Sequence, residues 1–193
     1  TMNLKTCLFI IQAYILLCPE FYLQTYGKNL MEHCQYLMRD IRTEGIVAIC
    51  KLFITMLKVM PSYAIELLHS IMNDVVKNLL NDSDYLSAKQ IYLQVMTRYF
   101  LANQMAFSLI LEEVRVENCF QKILSIWPNT MPNITQNEDK KLMALGLCSL
   151  LTIPNENIFE NFATIIINVY ETLCDIMTLE TPESAEVDSL ILT

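Results

Sequence analysis

Hydrophobic positions recur along this chain with the period of an α-helix. Ile65, Leu68, Met72, Val75, Val76 and Leu79 fall on one stripe, with Glu66, Ser70, Asn73 and Lys77 on the polar side. The same pattern returns at Val116, Phe120, Ile123, Leu124 and Trp127, set against Arg115, Asn118, Lys122 and Ser125. Residues 142–151 are apolar nearly all round, as expected of a helix sandwiched between neighbours. No segment alternates with period two for long, and the chain holds only three glycines, so no sheet is predicted.

The helical segments are punctuated at regular intervals. Long segments start near residues 3, 43, 83 and 135, and each is broken in its middle, at Cys18-Pro19-Glu20, Met60-Pro61-Ser62, Leu101-Ala102-Asn103 and Ile153-Pro154-Asn155. Proline at a helix start removes a donor that would be unpaired anyway, and Ser62, Asn103 and Asn155 are placed to cap the helix that follows. Thr43 and Ser83 are expected N-caps, and Thr135 with Glu138 forms an expected capping box opening a helix from Lys140 to Leu151. A repeat of two helices every 40 residues or so predicts an all-α fold, a HEAT-like α-solenoid of about four antiparallel pairs. The pairs are expected at about 3–39, 43–80, 83–126 and 135–179, followed by an acidic loop or tail over 180–193.

Composition narrows the class further. With 193 residues the chain can bury a core, yet a solenoid repeat mainly touches its neighbours, and the first residue is Thr1; a segment of a longer chain is expected. Hydrophobic residues make up 53% and the mean hydropathy is +0.34, which raises the question of membrane insertion. The longest apolar stretch, Cys7 to Cys18, is interrupted by Gln12 and falls short of the about 20 residues that a span needs. No small-residue cleavage site follows it before Pro19, so a first repeat helix explains it better than a signal peptide. Cys7, Cys18, Cys34, Cys50, Cys119, Cys148 and Cys174 are odd in number and unpaired in spacing, the pattern of reduced and mostly buried thiols in a cytosolic or nuclear protein. Two glycosylation sequons, at Asn81 and Asn133, matter only outside the cytosol, and their hydroxyl residues Ser83 and Thr135 read better as caps.

The formal net charge is -8, and Glu180, Glu183, Glu186 and Asp188 crowd into the last fourteen residues. With no basic stripe, nucleic acid is a poor partner and basic protein surfaces are better ones. Catalytic chemistry finds no seat. Gly27, Gly45 and Gly146 are too isolated to cradle phosphate, and His33 and His69 lack ligand spacing, so no catalytic, cofactor or metal residues are predicted. Adjacent carboxylates such as Glu112 and Glu113 read as a solvated helix face, and the eleven methionines as core filler.

Several stretches carry a family likeness. The block WPNTMPNITQNEDKKLMALGLCSLL from Trp127 to Leu151 resembles the C-terminal region of importin-11-like nuclear transport receptors, in the importin-β superfamily. Similar stretches are Asp40-Ile41-Arg42-Thr43-Glu44-Gly45, the helix end Leu57 to Pro61, and Leu173 to Thr178 with the acidic residues after it. Pro128 and Pro132 depart from the family pattern and predict an interruption after the tryptophan.

That resemblance implies transport without covalent chemistry. It implies a receptor shuttling between cytoplasm and nucleus, holding protein cargo on the concave side of the solenoid and contacting nucleoporins in the pore. It also implies release by the GTP form of the small GTPase Ran, bound through N-terminal repeats outside this segment, so no Ran-binding residue is carried onto it. The concave helices would be about 20–39, 62–80, 103–126 and 155–179, with Glu66, Asp74, Glu112, Glu113 and Glu117 as candidate contacts to basic cargo. A HEAT scaffold or adaptor for a complex unrelated to transport fits the same periodicity.

Overall fold

In a computed structural model of the chain, residues 2–39, 41–81 and 86–179 are described, and among them every regular element is helical. The chain packs as two units, Thr1–Ile123 and Leu124–Thr193. The expected acidic tail and the expected cap Ser83 lie outside the described residues.

The first unit is built from one-residue hinges. Helix α1 (Met2–Leu17) meets α2 (Pro19–Met38) at Cys18, and α3 (Thr43–Val59) meets α4 (Pro61–Leu79) at Met60. Proline crowds the residue before it out of the helical region, and the two hinges adopt nearly the same backbone, φ -146 and ψ 67 at Cys18, φ -138 and ψ 68 at Met60. Each still closes both neighbouring helices: the Met60 amide donates to Met56 O at 2.9 Å and Ala64 donates to Met60 O at 2.9 Å. Between α5 (Leu86–Ala102) and α6 (Gln104–Glu113), Asn103 does the same work without proline. Its backbone is extended and its Oδ1 accepts from the Ala106 amide at 2.9 Å, replacing a missing donor by an added acceptor.

These hinges fold each pair back on itself, and the pairs stack in two rows. In one row α3 packs on α1 and on α5; in the other α4 packs on α2 and on α6. Cross-bridges give the directions. Lys5–Glu44 (2.8 Å) and Gln12–Thr55 (3.4 Å) run α1 parallel to α3, whereas Asn78–Tyr92 (3.4 Å) and His69–Tyr99 (3.3 Å) run α4 antiparallel to α5. The core lies between the rows, where Phe53, Leu52, Met56, Leu68, Met72, Tyr92, Tyr99 and Phe100 are fully buried. Gly27 of α2 faces α4 so closely that a Cβ there would lie 2.7 Å from Leu67 Cδ1, and a side chain at this position would displace the end of Leu67.

The second unit pairs α8 (Asn137–Leu150) with α10 (Phe162–Leu179), pinned by Lys140 Nζ–Asp175 Oδ2 at 2.6 Å. Short α9 (Glu156–Glu160) precedes α10, its start capped by Asn155, whose Oδ1 accepts from the Asn157 amide at 2.9 Å. Helix α7 (Cys119–Thr130) stands at the division between the units.

Several local expectations are corrected. The segment 103–126 is not one helix: α6 ends at Glu113, and Arg115 (φ 51) and Asn118 (φ 53) take left-handed conformations before α7 begins. No glycine or proline marks that break, so the continuing apolar period through Val116 concealed it. The capping box is not formed, because α8 begins at Asn137 with Gln136 as N-cap and no side-chain cap bond. Thr43 and Ser62 fall inside the first turns of α3 and α4, whose N-caps are Arg42 and Met60. Residues 155–179 likewise split into α9 and α10 at Asn161. The chain continues helically through Pro128 to Thr130, and the interruption comes at a short 3-10 turn over Met131–Asn133. Helix α8 is not enclosed all round, since Leu145 is 57% exposed.

Large apolar side chains remain in water on α1 (Phe9, Ile10, Tyr14, Leu16, Leu17) and on α10 (Ile166, Ile167, Tyr170, Leu173, Met177). We expect concentration-dependent self-association of the isolated chain, read as rising mass in light scattering; a clean monomer at high concentration would contradict it. Leu68→Ala empties a fully buried site between the rows and is expected to cost about 2–5 kcal/mol in urea unfolding.

Candidate interaction surface

Four of the five candidate carboxylates lie on the second-helix row of the first unit, and two of them, Asp74 and Glu113, are engaged by neighbouring side chains. Asp74 of α4 accepts from Gln35 Nε2 of α2 at 3.0 Å. Glu113, the last residue of α6, accepts from His69 Nε2 and from Asn73 Nδ2, each at 3.2 Å. Glu66 is exposed and lines a groove of about 200 Å³ between α2 and α4 with Lys28, Met31, Glu32, Gln35 and Ser70. Glu112 is exposed at the end of α6. Glu117 is exposed too, but it belongs to the loop between α6 and α7 rather than to a helix face. The structure therefore groups Glu66 and Asp74 on α4, places Glu112 and Glu113 on the adjoining α6, and leaves Glu117 apart.

Around Glu113 the donors and acceptors can be assigned from chemistry alone. A carboxylate only accepts, so His69 Nε2 carries the proton that it donates to Glu113, and a neutral His69 then accepts from the Tyr99 hydroxyl at Nδ1, 3.3 Å away. This Tyr99–His69–Glu113 chain, with Asn73 on the other carboxylate oxygen, ties α5, α4 and α6 together. Sequence reading had missed it, because its members lie 30 to 44 residues apart. The Asn73 and His69 hydrogen bonds hold the Glu113 carboxyl below its usual range, while burial and the charge of Glu113 push the Tyr99 hydroxyl up to about 12.

The remaining polar chemistry is sparse. Among the described residues no group of three or more His, Cys, Asp and Glu could hold a metal ion, and no helix is long and apolar enough to cross a membrane. His33 is exposed, its Nδ1 2.6 Å from Asn29 O. Only Cys34, Cys50 and Cys119 of the seven cysteines are buried, fewer than the sequence suggested; burial pushes the Cys34 thiol up to about 12. These are inert core thiols rather than nucleophiles.

Stacked helix pairs joined by polar cross-links define a helical-repeat protein. A family model described as "Importin-11-like, TPR repeats" matches residues 1–193. The chain is 37% identical to mouse (Mus musculus) Importin-11 over 188 residues, which covers 94% of this chain and 19% of that protein. It is 35% identical to human (Homo sapiens) Importin-11 over 196 residues, covering 98% of this chain and 20% of that protein. The chain belongs to the importin-11-like family, and it spans about a fifth of the length of these relatives. No solved structure matches it. Although the family description names TPR repeats, the first helices start at Met2, Thr43 and Leu86, a longer spacing than the about 34 residues of that repeat.

The lowered Glu113 pKa fixes a sign. Its contribution to stability is complete above the ordinary carboxylate range and is lost as pH falls through the depressed folded-state value. Glu113→Gln is accordingly expected to flatten the fall of Tm on acidification; a wild-type slope unchanged in the variant would show that the carboxylate carries none of it.

Proposed function

We propose that this chain is a cargo-holding repeat segment of a nuclear import receptor. Its second-helix row, α2, α4 and α6, carries Glu20, Glu32, Glu66, Asp74, Glu112 and Glu113 against Lys28 and Lys77, and presents carboxylates to basic protein cargo. Membership in the importin-11-like family supports the transport reading, and the charge of that row supports the cargo chemistry. Release follows Ran-GTP binding at repeats outside this segment, nucleoporins carry the receptor through the pore, and it shuttles between cytoplasm and nucleus. Small rotations at each stacked pair sum to the change of curvature that frees the cargo.

Glu66 and Glu112 are the carboxylates of choice for a test, because Asp74 and Glu113 serve internal hydrogen bonds whose loss would disturb packing. In the full-length receptor, Glu66→Lys with Glu112→Lys is expected to reduce capture of basic cargo about tenfold at low salt. Unchanged capture would remove the cargo assignment from this row, and capture indifferent to Ran-GTP would favour a scaffold over a transport receptor.

A further inference from the structure

The two rows of the first unit differ in charge as well as position. While the second-helix row is acidic, α1, α3 and α5 carry Lys5, Lys51, Lys58, Lys89 and Arg98 and a single carboxylate, Glu44. That carboxylate is taken by Lys5 at 2.8 Å, and the Lys5 hydrogen bond and charge hold its pKa down. The exposed residues of α3 are Glu44, Lys51 and Lys58, spaced by seven and therefore aligned along one face of the helix.

Beside this stripe, between α1 and α3, lies a groove of about 380 Å³. Leu8 forms its floor, Phe9, Val47 and Ala48 its walls, and Lys51 its rim. The Lys5–Glu44 pair bridges the two helices at one point and the Gln12–Thr55 hydrogen bond bridges them further along, so polar contacts tie α1 to α3 along the groove. Phe9 is 71% exposed there, an apolar side chain with nothing over it in the described structure.

We propose that this first-helix face docks an acidic protein segment that places one apolar side chain in the α1–α3 groove and carboxylates on Lys51 and Lys58. Charge complementarity selects the occupant: a basic segment would be repelled here and drawn to the opposite row. Seven helical residues separate the two ammonium groups by about 10 Å along α3. An extended segment spans that distance with carboxylates three residues apart, at about 3.3 Å per residue. Nucleic acid is disfavoured because the cationic stripe is short and half of the site is apolar.

The test uses the 193-residue chain, kept at concentrations where light scattering shows a monomer, and three fluorescent peptides of one length, each with a central leucine flanked by glutamates, by glutamines or by lysines. Fluorescence anisotropy is expected to show binding of the glutamate peptide, weakened by added salt, and weak or absent binding of the other two. Lys51→Glu with Lys58→Glu, both solvent-facing, should cut that affinity about tenfold while leaving the circular dichroism spectrum unchanged. Phe9→Ala should weaken it as well, and Glu66→Lys on the opposite row should leave it unaltered, which separates this site from the cargo row. Equal affinity for the glutamine peptide, no loss in the double charge variant, no binding of the glutamate peptide, or displacement by a single-stranded oligonucleotide would each overturn the proposal.

Discussion

The whole first unit depends on the chain leaving the helical region for a single residue at Cys18, Met60 and Asn103. A longer loop would let the two helices of a pair splay; a one-residue hinge, hydrogen-bonded into both neighbours, fixes their antiparallel packing. Because consecutive hinges at Cys18 and Met60 share nearly the same backbone angles, consecutive pairs take similar shapes and stack like upon like. The rows of first and second helices follow from that repetition, and so does the sandwiched core between them. Proline achieves the hinge by excluding one conformation, whereas Asn103 achieves it by rewarding another, and the outcome is the same.

Rows built in this way bring distant residues into register. Tyr99, His69, Asn73 and Glu113 meet because α5 packs antiparallel to α4 while α6 lies beside α4 in the second row. The network is a polar fastening among three helices whose other contacts are apolar, and it uses up a carboxylate that sequence reading offered to a partner. Row formation also sorts charge. First helices are rich in lysine and second helices in carboxylate, so stacking turns a mixed sequence into two faces of opposite sign. Long-range fields of this kind steer charged partners before they touch.

The second unit obeys the same rules with less regular punctuation. Asn161 breaks its second element in two, and the apolar stripe of α10 along Ile166, Tyr170, Leu173 and Met177 stays in water. Helix pairing by Lys140 and Asp175 resembles the Lys5–Glu44 bridge of the first unit in spanning adjacent helices with one exposed ion pair. Such pairs contribute little to stability and more to register.

Local chemistry in the sequence determined the helices, the hinges at Pro19 and Pro61 and the cap at Asn103, because helix periodicity, a missing amide proton and a side-chain acceptor act within a few residues. It also carried the two-helix repeat and, through the block around Trp127 to Leu151, the family likeness. The break after Glu113 escaped it, since Arg115 and Asn118 adopt left-handed conformations that no glycine announces. The expected capping box failed for a related reason: Thr135 and Glu138 have suitable chemistry, but the path out of the Met131–Asn133 turn shifts the N-cap one residue on, to Gln136. Which carboxylates face water and which are bound, and that lysines and carboxylates gather on opposite rows, only the tertiary structure decided. Those properties belong to contacts between residues some 40 positions apart, and distance along a chain says nothing of them until the pairs are stacked.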